Sequence, residues 1–411
     1  MSTVDCCVKC KSTNLKEVIN LGEQSMTGIF PKDKNDNLSK GVLNLLICMN
    51  CSLVQIGHKY AMDDMYGETY GYRSGLNNSM VNHLRKIHDQ LILKFFSKNR
   101  PAQVLDIGSN DGTFLGFYDE EISRVAIDPS AAKFKKYYKS GINLIIDFFS
   151  KETLFKESID TKFDIITSIS MFYDLPDPQS FVKDIKFALS KNGVWHFEQS
   201  YLPFMLETNS FDTICHEHIE YYSLRVIDDL LKDNGLKIID IELNKINGGS
   251  IGVTACHNDD YSDRSSELYD YLIEYEKIIK LDKPEIFNNF VQKKDELKQS
   301  LNALIDTLQK HGKTVCGYGA STKGNVLLQH YGLDSNKIEC IFEVNEEKFG
   351  CFTPGTNIPI VPEANIEDFK PDYLLVLPWH FKDFIIEKNQ NLLDLGVKFI
   401  FPLPTIEIIS K

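Results

Sequence analysis

No stretch of the 411 residues is apolar for long enough to span a bilayer, which takes about 20 residues in a helix. The opening MSTVDCCVKC has neither the basic nor the apolar region of a secretory signal. Positive charge is scarce: 45 Lys and Arg stand against 58 Asp and Glu, a formal net charge of −13. A surface of that sign argues against nucleic acid and against anionic lipid as partners. The expectation is a cytoplasmic protein, in which ten cysteines are thiols or metal ligands rather than disulfides. An apolar share of 43% suits a globular chain, and the length is too great for one core, so two or three domains are expected.

The segment Val104–Leu115, VLDIGSNDGTFL, reads as an apolar strand, a sharp glycine turn and the start of a helix. Asp106 ends the strand. Gly108 and Gly112 would let the backbone approach a ligand, with Asn110 between them in the turn. About 20 residues on, Asp128 ends a second apolar strand, where a carboxylate can take both hydroxyls of a ribose. The turn GSNDGT is not GxGxxG: it carries an acidic residue and has no third glycine. That disfavours a pyrophosphate and favours S-adenosylmethionine, a nucleoside without phosphates. Asp147, after the third strand, is a candidate partner for the adenine amino group. Phe148 would stack on the ring or simply pack in the core.

Cysteines come in spaced pairs: Cys7 and Cys10 in CVKC, Cys48 and Cys51 in CMNC. Two CxxC knuckles fit four thiolates around a tetrahedral Zn²⁺ with no open position, a structural site. The strand-like runs between them, KEVINLGE and GVLNLLI, form too little core to fold without the metal. A loop with Tyr66, Tyr70 and Tyr72 follows, which would either cover a substrate or pack at a domain seam.

Strand candidates VLDIGS, RVAIDP, NLIID, DIITSIS and VWHFEQ alternate with helical segments, and KIIDIELNKINGGSIGVTACH reads as a terminal hairpin. The expected fold is α/β, a class I methyltransferase Rossmann-like domain. Glu198 ends the fifth strand, facing the cleft of such a fold. Residues 260–309 have helical spacing and no strand signal. From Thr314 a second Rossmann-like unit begins with TVCGYGASTKGNVLL. Its GYGAST lacks the full dinucleotide fingerprint, while Lys323 at the helix start could meet a phosphate, with Tyr318 beside it. The division expected is a zinc-binding domain over 1–75, a methyltransferase domain over 76–258, and a helical linker with a C-terminal Rossmann-like domain over 259–411.

CVKC and CMNC, VLDIGSNDGTFL, FDTICHEHIEYYS (211–223) and GYGASTKGN follow one another in the order seen in sugar C-methyltransferases, and the chain resembles that family over essentially its whole length. The resemblance implies methylation of a nucleotide-linked 4-keto-deoxysugar on the carbon beside the ketone, with the C-terminal domain helping to hold the nucleotide-sugar. It also implies His218 as the base. The residues suit that chemistry, since removing a proton beside a ketone takes a group that titrates near neutrality. In an extended loop His216 and His218 share a side, with Glu217 opposite, free to hold a sugar hydroxyl or orient the base. Two departures stand out. Cys215 occupies the place where relatives often carry tyrosine, and Asp174 a place where many have histidine. Tyr173, Tyr221 and Tyr222 are available as substitute donors, Tyr222 being a candidate catalytic residue. Alternatives are an HxH metal pair, O-methylation of a sugar hydroxyl, and a nucleotide-sugar binding protein that does not methylate. A monomer or small homo-oligomer is expected.

Overall fold

The computed structural model describes residues 2–36, 38–60, 73–96, 101–261 and 267–411. Tyr66, Tyr70 and Tyr72 lie outside the described residues. Three large sheets carry the fold, beside a two-stranded pairing of Ser2–Thr3 with His58–Lys59. The N-terminal one contains β1 (Leu15–Ser25), β2 (Lys40–Cys48) and β3 (Val54–Ile56), all antiparallel. Alternation in β2 buries Leu43, Leu45 and Ile47 on one face.

Next comes α1 (Asn78–Phe95), started by the Asn77 side chain accepting from the Ser79 N–H and buried along Met80, Leu84, Ile87 and Leu91. It covers the central sheet, formed by β4 (Gln103–Ile107), β5 (Ser123–Ile127), β6 (Ile142–Ile145), β7 (Phe163–Ile169) and β8 (Leu189–Ser200). After β8 the chain adds β9 (Glu220–Tyr221), β10 (Leu236–Asn244) and β11 (Ser250–His257). The central order is β10-β11-β8-β7-β4-β5-β6, with β11 antiparallel to both neighbours and β4 to β8 parallel. The direction of order reverses beside β4, and a cleft opens at the carboxyl ends of the strands at that switch point. This is the class I methyltransferase arrangement read from the sequence, hairpin included. β9 does not join it. It pairs with β3 instead and so becomes the fourth strand of the N-terminal sheet.

Two connecting helices, α2 (Glu267–Ile278) and α3 (Phe287–Lys310), lead to the third sheet. Their break falls at Pro284, where a helix interior is not tolerated. They are not solvated throughout: Glu276 is buried and accepts from Tyr201 Oη at 2.7 Å and from the Leu224 N–H at 2.6 Å. The third sheet runs through β12 (Val315–Tyr318), β13 (Ile341–Glu343), β14 (Ile360–Pro362), β15 (Tyr373–Val376), β16 (Lys398–Phe401) and β17 (Glu407–Ile409), with α4 (Thr322–Tyr331) following β12. Its order is β14-β13-β12-β15-β16-β17, parallel except for β17. One continuous core joins Ile19, Leu43 and Leu45 of the N-terminal sheet to Phe287, Phe290 and Leu301 of α3 and to the third sheet. The N-terminal sheet is thus packed on the C-terminal half as well as tied to the central one.

Candidate active site

The sulfur atoms of Cys7, Cys10, Cys48 and Cys51 all lie within 4.8 Å of one another, with Cys7–Cys51 at 3.5 Å and Cys10–Cys48 at 3.6 Å. Four thiolates at about 2.3 Å from a tetrahedral Zn²⁺ would sit about 3.8 Å apart. The donor set and spacing fit that ion.

At the carboxyl ends of β4 and β5 a cavity is lined by Asp106, Gly108, Ser109, Asn110, Asp128, Phe148, Phe149, Met171 and Asp174, with Met80 and Leu84 of α1. Asp106 is buried and accepts from Thr167 Oγ1 at 2.6 Å. Burial pushes its carboxyl up to about 7, with the Asp128 charge adding to the rise. Asp128 is held rigidly: Oδ2 accepts from the Asn110 N–H at 2.8 Å, Oδ1 from the Ser130 N–H and hydroxyl at 2.6 Å each. Oδ2, with one bond, keeps a lone pair for a ribose hydroxyl. Acidic groups at one end suit a cationic ligand, and exposed Phe148 beside Phe149 offers faces for a purine. The residues present fit S-adenosylmethionine.

Beside that cavity the segment 211–223 crosses the seam of all three sheets. Residues 215–218 form a turn closed by the His218 N–H on the Cys215 carbonyl at 3.3 Å. The loop is not extended, so His216 and His218 do not share a side as expected. His216 points at the N-terminal sheet, with Nδ1 3.5 Å from Thr27 Oγ1 and its ring edge-on to Tyr60. Burial lowers it to about 4. Glu217 lies against Gly28: a Cβ on Gly28 would fall 2.4 Å from its Oε1. Burial raises its carboxyl. His218 turns the other way, its ring 4.4 Å from that of Tyr173. Its Nδ1 lies 2.8 Å from the Thr213 carbonyl. A carbonyl only accepts, so Nδ1 carries the proton and Nε2 keeps a lone pair. Burial, then the Lys323 charge, lower His218 to about 3.

Several expectations need correction. Gly112 does not line the cavity; a Cβ there would fall 2.6 Å from Tyr138, so the glycine admits that ring instead. Asp147 is also absent from the lining and pairs with Lys156 at 3.4 Å. Glu198 is buried and engaged by His83 Nε2 at 2.8 Å and Asn244 Nδ2 at 2.6 Å. Tyr222, just past β9, stacks on Phe172 in the core. Its neighbour Tyr221 is the one beside His218, its hydroxyl 3.3 Å from the same Thr213 carbonyl. Tyr318 bonds within its own domain, to Glu363 at 2.5 Å. Tyr72 lies outside the described residues.

Lys323 does reach the seam. Its Nζ donates to the Asn247 carbonyl at 2.8 Å, and Asn247 Nδ2 donates to Ser170 Oγ at 3.2 Å on the cavity wall. Asp212, Trp379 and His380 were not singled out in the sequence. Asp212 is buried and accepts from Trp379 Nε1 at 2.8 Å across 167 residues of chain. Such a pairing leaves no local signal.

Known proteins agree with this layout. Residues 7–66 match a zinc binding domain family, 80–241 a methyltransferase domain family, and 245–404 the C-methyltransferase C-terminal domain family. C-methyltransferase NovU of Streptomyces niveus is 28% identical over 413 residues, covering 99% of this chain and 97% of that one. Among solved structures, N-methyltransferase NodS from Bradyrhizobium japonicum WM9 is 16% identical over 43% of this chain and 98% of that one, at a TM-score of 0.32. Magnesium protoporphyrin IX methyltransferase from Synechocystis PCC 6803 is 11% identical over 43% and 81%, also at 0.32. Superpositions that loose bear no weight. The full-length match and the three consecutive families define an S-adenosylmethionine-dependent methyltransferase with a zinc-binding domain. Within that class the chain is a C-methyltransferase.

Proposed function

We propose that the protein methylates a nucleotide-linked 4-keto-deoxysugar on the carbon beside the ketone, with His218 as the base. The observation that carries this reading is the His218 tautomer: Nδ1–H is fixed on the Thr213 carbonyl, and Nε2 is left as the proton acceptor. A hydroxyl nucleophile would use the same base, but the name of the full-length relative specifies carbon. S-adenosylmethionine, when bound, supplies an electrophilic methyl group on a sulfonium. Asp106 and Asp128 would hold its cationic and ribose portions, and Phe148 its base. Tyr173 fixes the plane of the His218 ring through their edge contact. Glu217, beside Gly28, would take a sugar hydroxyl. The division at 75/76 and 258/259, a cytoplasmic setting and a monomer or small homo-oligomer are parts of the same reading.

The test is incubation with S-adenosylmethionine and a panel of nucleotide-linked sugars with and without a 4-keto group, read by mass spectrometry. A gain of one methylene unit on keto sugars alone is expected. Gain on sugars that carry only hydroxyls would contradict the reading.

A further inference from the structure

Lys323 is the one lysine among the described residues whose charge the His218 and His380 imidazoles both feel. It enters from α4, on the C-terminal sheet, yet its Nζ is anchored on the Asn247 carbonyl of the central domain. Around it stand Asp212, Cys215, His218 and His380. A lysine at a helix start suggests a phosphate, but the turn is poorly equipped for one. The Ala320 N–H is taken by Glu343 Oε2 at 2.7 Å and the Gly324 N–H by Ser321 Oγ at 3.0 Å. With those two donors engaged, the turn offers fewer free N–H groups to a diphosphate. One ammonium beside a base suits one developing oxyanion.

We infer that Lys323 is a catalytic residue of the proton-abstraction step, its ammonium stabilising the enolate oxygen formed when His218 removes the neighbouring proton. This rests on the keto-sugar reading above. The step balances. The C–H bond breaks, its proton goes to Nε2 of His218, and its electron pair becomes the C=C bond as the carbonyl π pair moves onto oxygen. The imidazolium later releases the proton to solvent. Burial gives the arrangement its logic. In the free site the Lys323 charge opposes protonation of His218. Once an oxyanion lies against the ammonium, that opposition is cancelled, so the base takes a proton only as the enolate appears. Asp212, locked by Trp379, keeps a counter-charge near the lysine.

The test needs no methyl transfer. Panels of thymidine- and uridine-diphosphate-linked 4-keto-deoxysugars are incubated in deuterium oxide without S-adenosylmethionine, and wash-in beside the ketone is followed by proton NMR. Lys323→Met is expected to slow exchange by about 100-fold or more, the scale seen when one oxyanion donor is lost. Its affinity for S-adenosylmethionine should be unchanged, which also reports that the variant folds. Lys323→Arg, which keeps a cation, should recover part of the rate. Wild-type exchange in Lys323→Met, or a raised KM with kcat unchanged, would overturn the assignment and make the residue a binding contact. Wild-type protein that exchanges no proton on any keto sugar would overturn the enolate reading itself, and this inference with it.

Discussion

In the proposed reaction His218 is the base, because one hydrogen bond decides which of its nitrogens is free. His218→Ala should cut turnover by at least about 100-fold, the usual scale for a general base, while calorimetry finds S-adenosylmethionine binding intact. Its acidity gives a second check. An ordinary imidazole titrates near 6.5, whereas this one is lowered to about 3 by burial and Lys323. The unprotonated base therefore persists as pH falls, and with S-adenosylmethionine saturating, kcat/KM should show no His218 inflection between pH 8 and 5. Asp106 moves the opposite way, up to about 7. A cationic ligand stabilises its charged form, so binding should release protons near pH 6. Calorimetry in buffers of different ionisation enthalpy would detect this, and Asp106→Asn should abolish it.

The element scale shows what was legible. Strand, turn and helix around 104–115 were readable because an apolar run, a glycine turn and a distal acid are local signals. The α/β class of the central sheet followed from alternation of strands and helices, and its closing hairpin from the turn in 237–257, while the strand order was not read. The orientation of HEH was not readable. An extended loop was the simple reading, but the Cys215–His218 turn sends the two histidines apart. Tyr221 and Tyr222 were exchanged for a related reason: Tyr221 is in β9 and Tyr222 just past it, and which of them meets the site depends on the pairing of β9 with β3, far away in sequence. Gly112 was recognised as special for the wrong neighbour. Its φ is +74°, and a Cβ would strike Tyr138, whose hydroxyl bonds Ser109 at 2.8 Å and the Asn110 carbonyl at 2.8 Å. Gly112→Ala should cost about 1–3 kcal/mol in denaturant unfolding and weaken S-adenosylmethionine binding by disturbing Asn110.

At the scale of the molecule, the site exists only where three sheets meet. Glu217 lies against Gly28 of the N-terminal segment, Asp212 is tied to Trp379, and β9 is a strand of the zinc-bearing sheet. None of these pairings has a sequence signature, which is why Lys323 could be flagged from its motif but not assigned a neighbour. They make the zinc a support for catalysis at a distance. Metal analysis should find one zinc per chain. Removing it with a chelator, or Cys48→Ser with Cys51→Ser, should abolish methylation by freeing β3 and with it the HEH turn, while the cavity on the central sheet keeps its ligand affinity within about threefold.

In the proposed reaction the methyl acceptor is carbon, and a labelled methyl group reports that directly. The protein would be given S-adenosylmethionine carrying ¹³C in the methyl group and the keto sugar that gains mass, and the product read by carbon NMR with long-range proton correlation. The labelled methyl should appear bonded to carbon and correlate with the ketone carbon. A methyl bonded to oxygen would contradict the account.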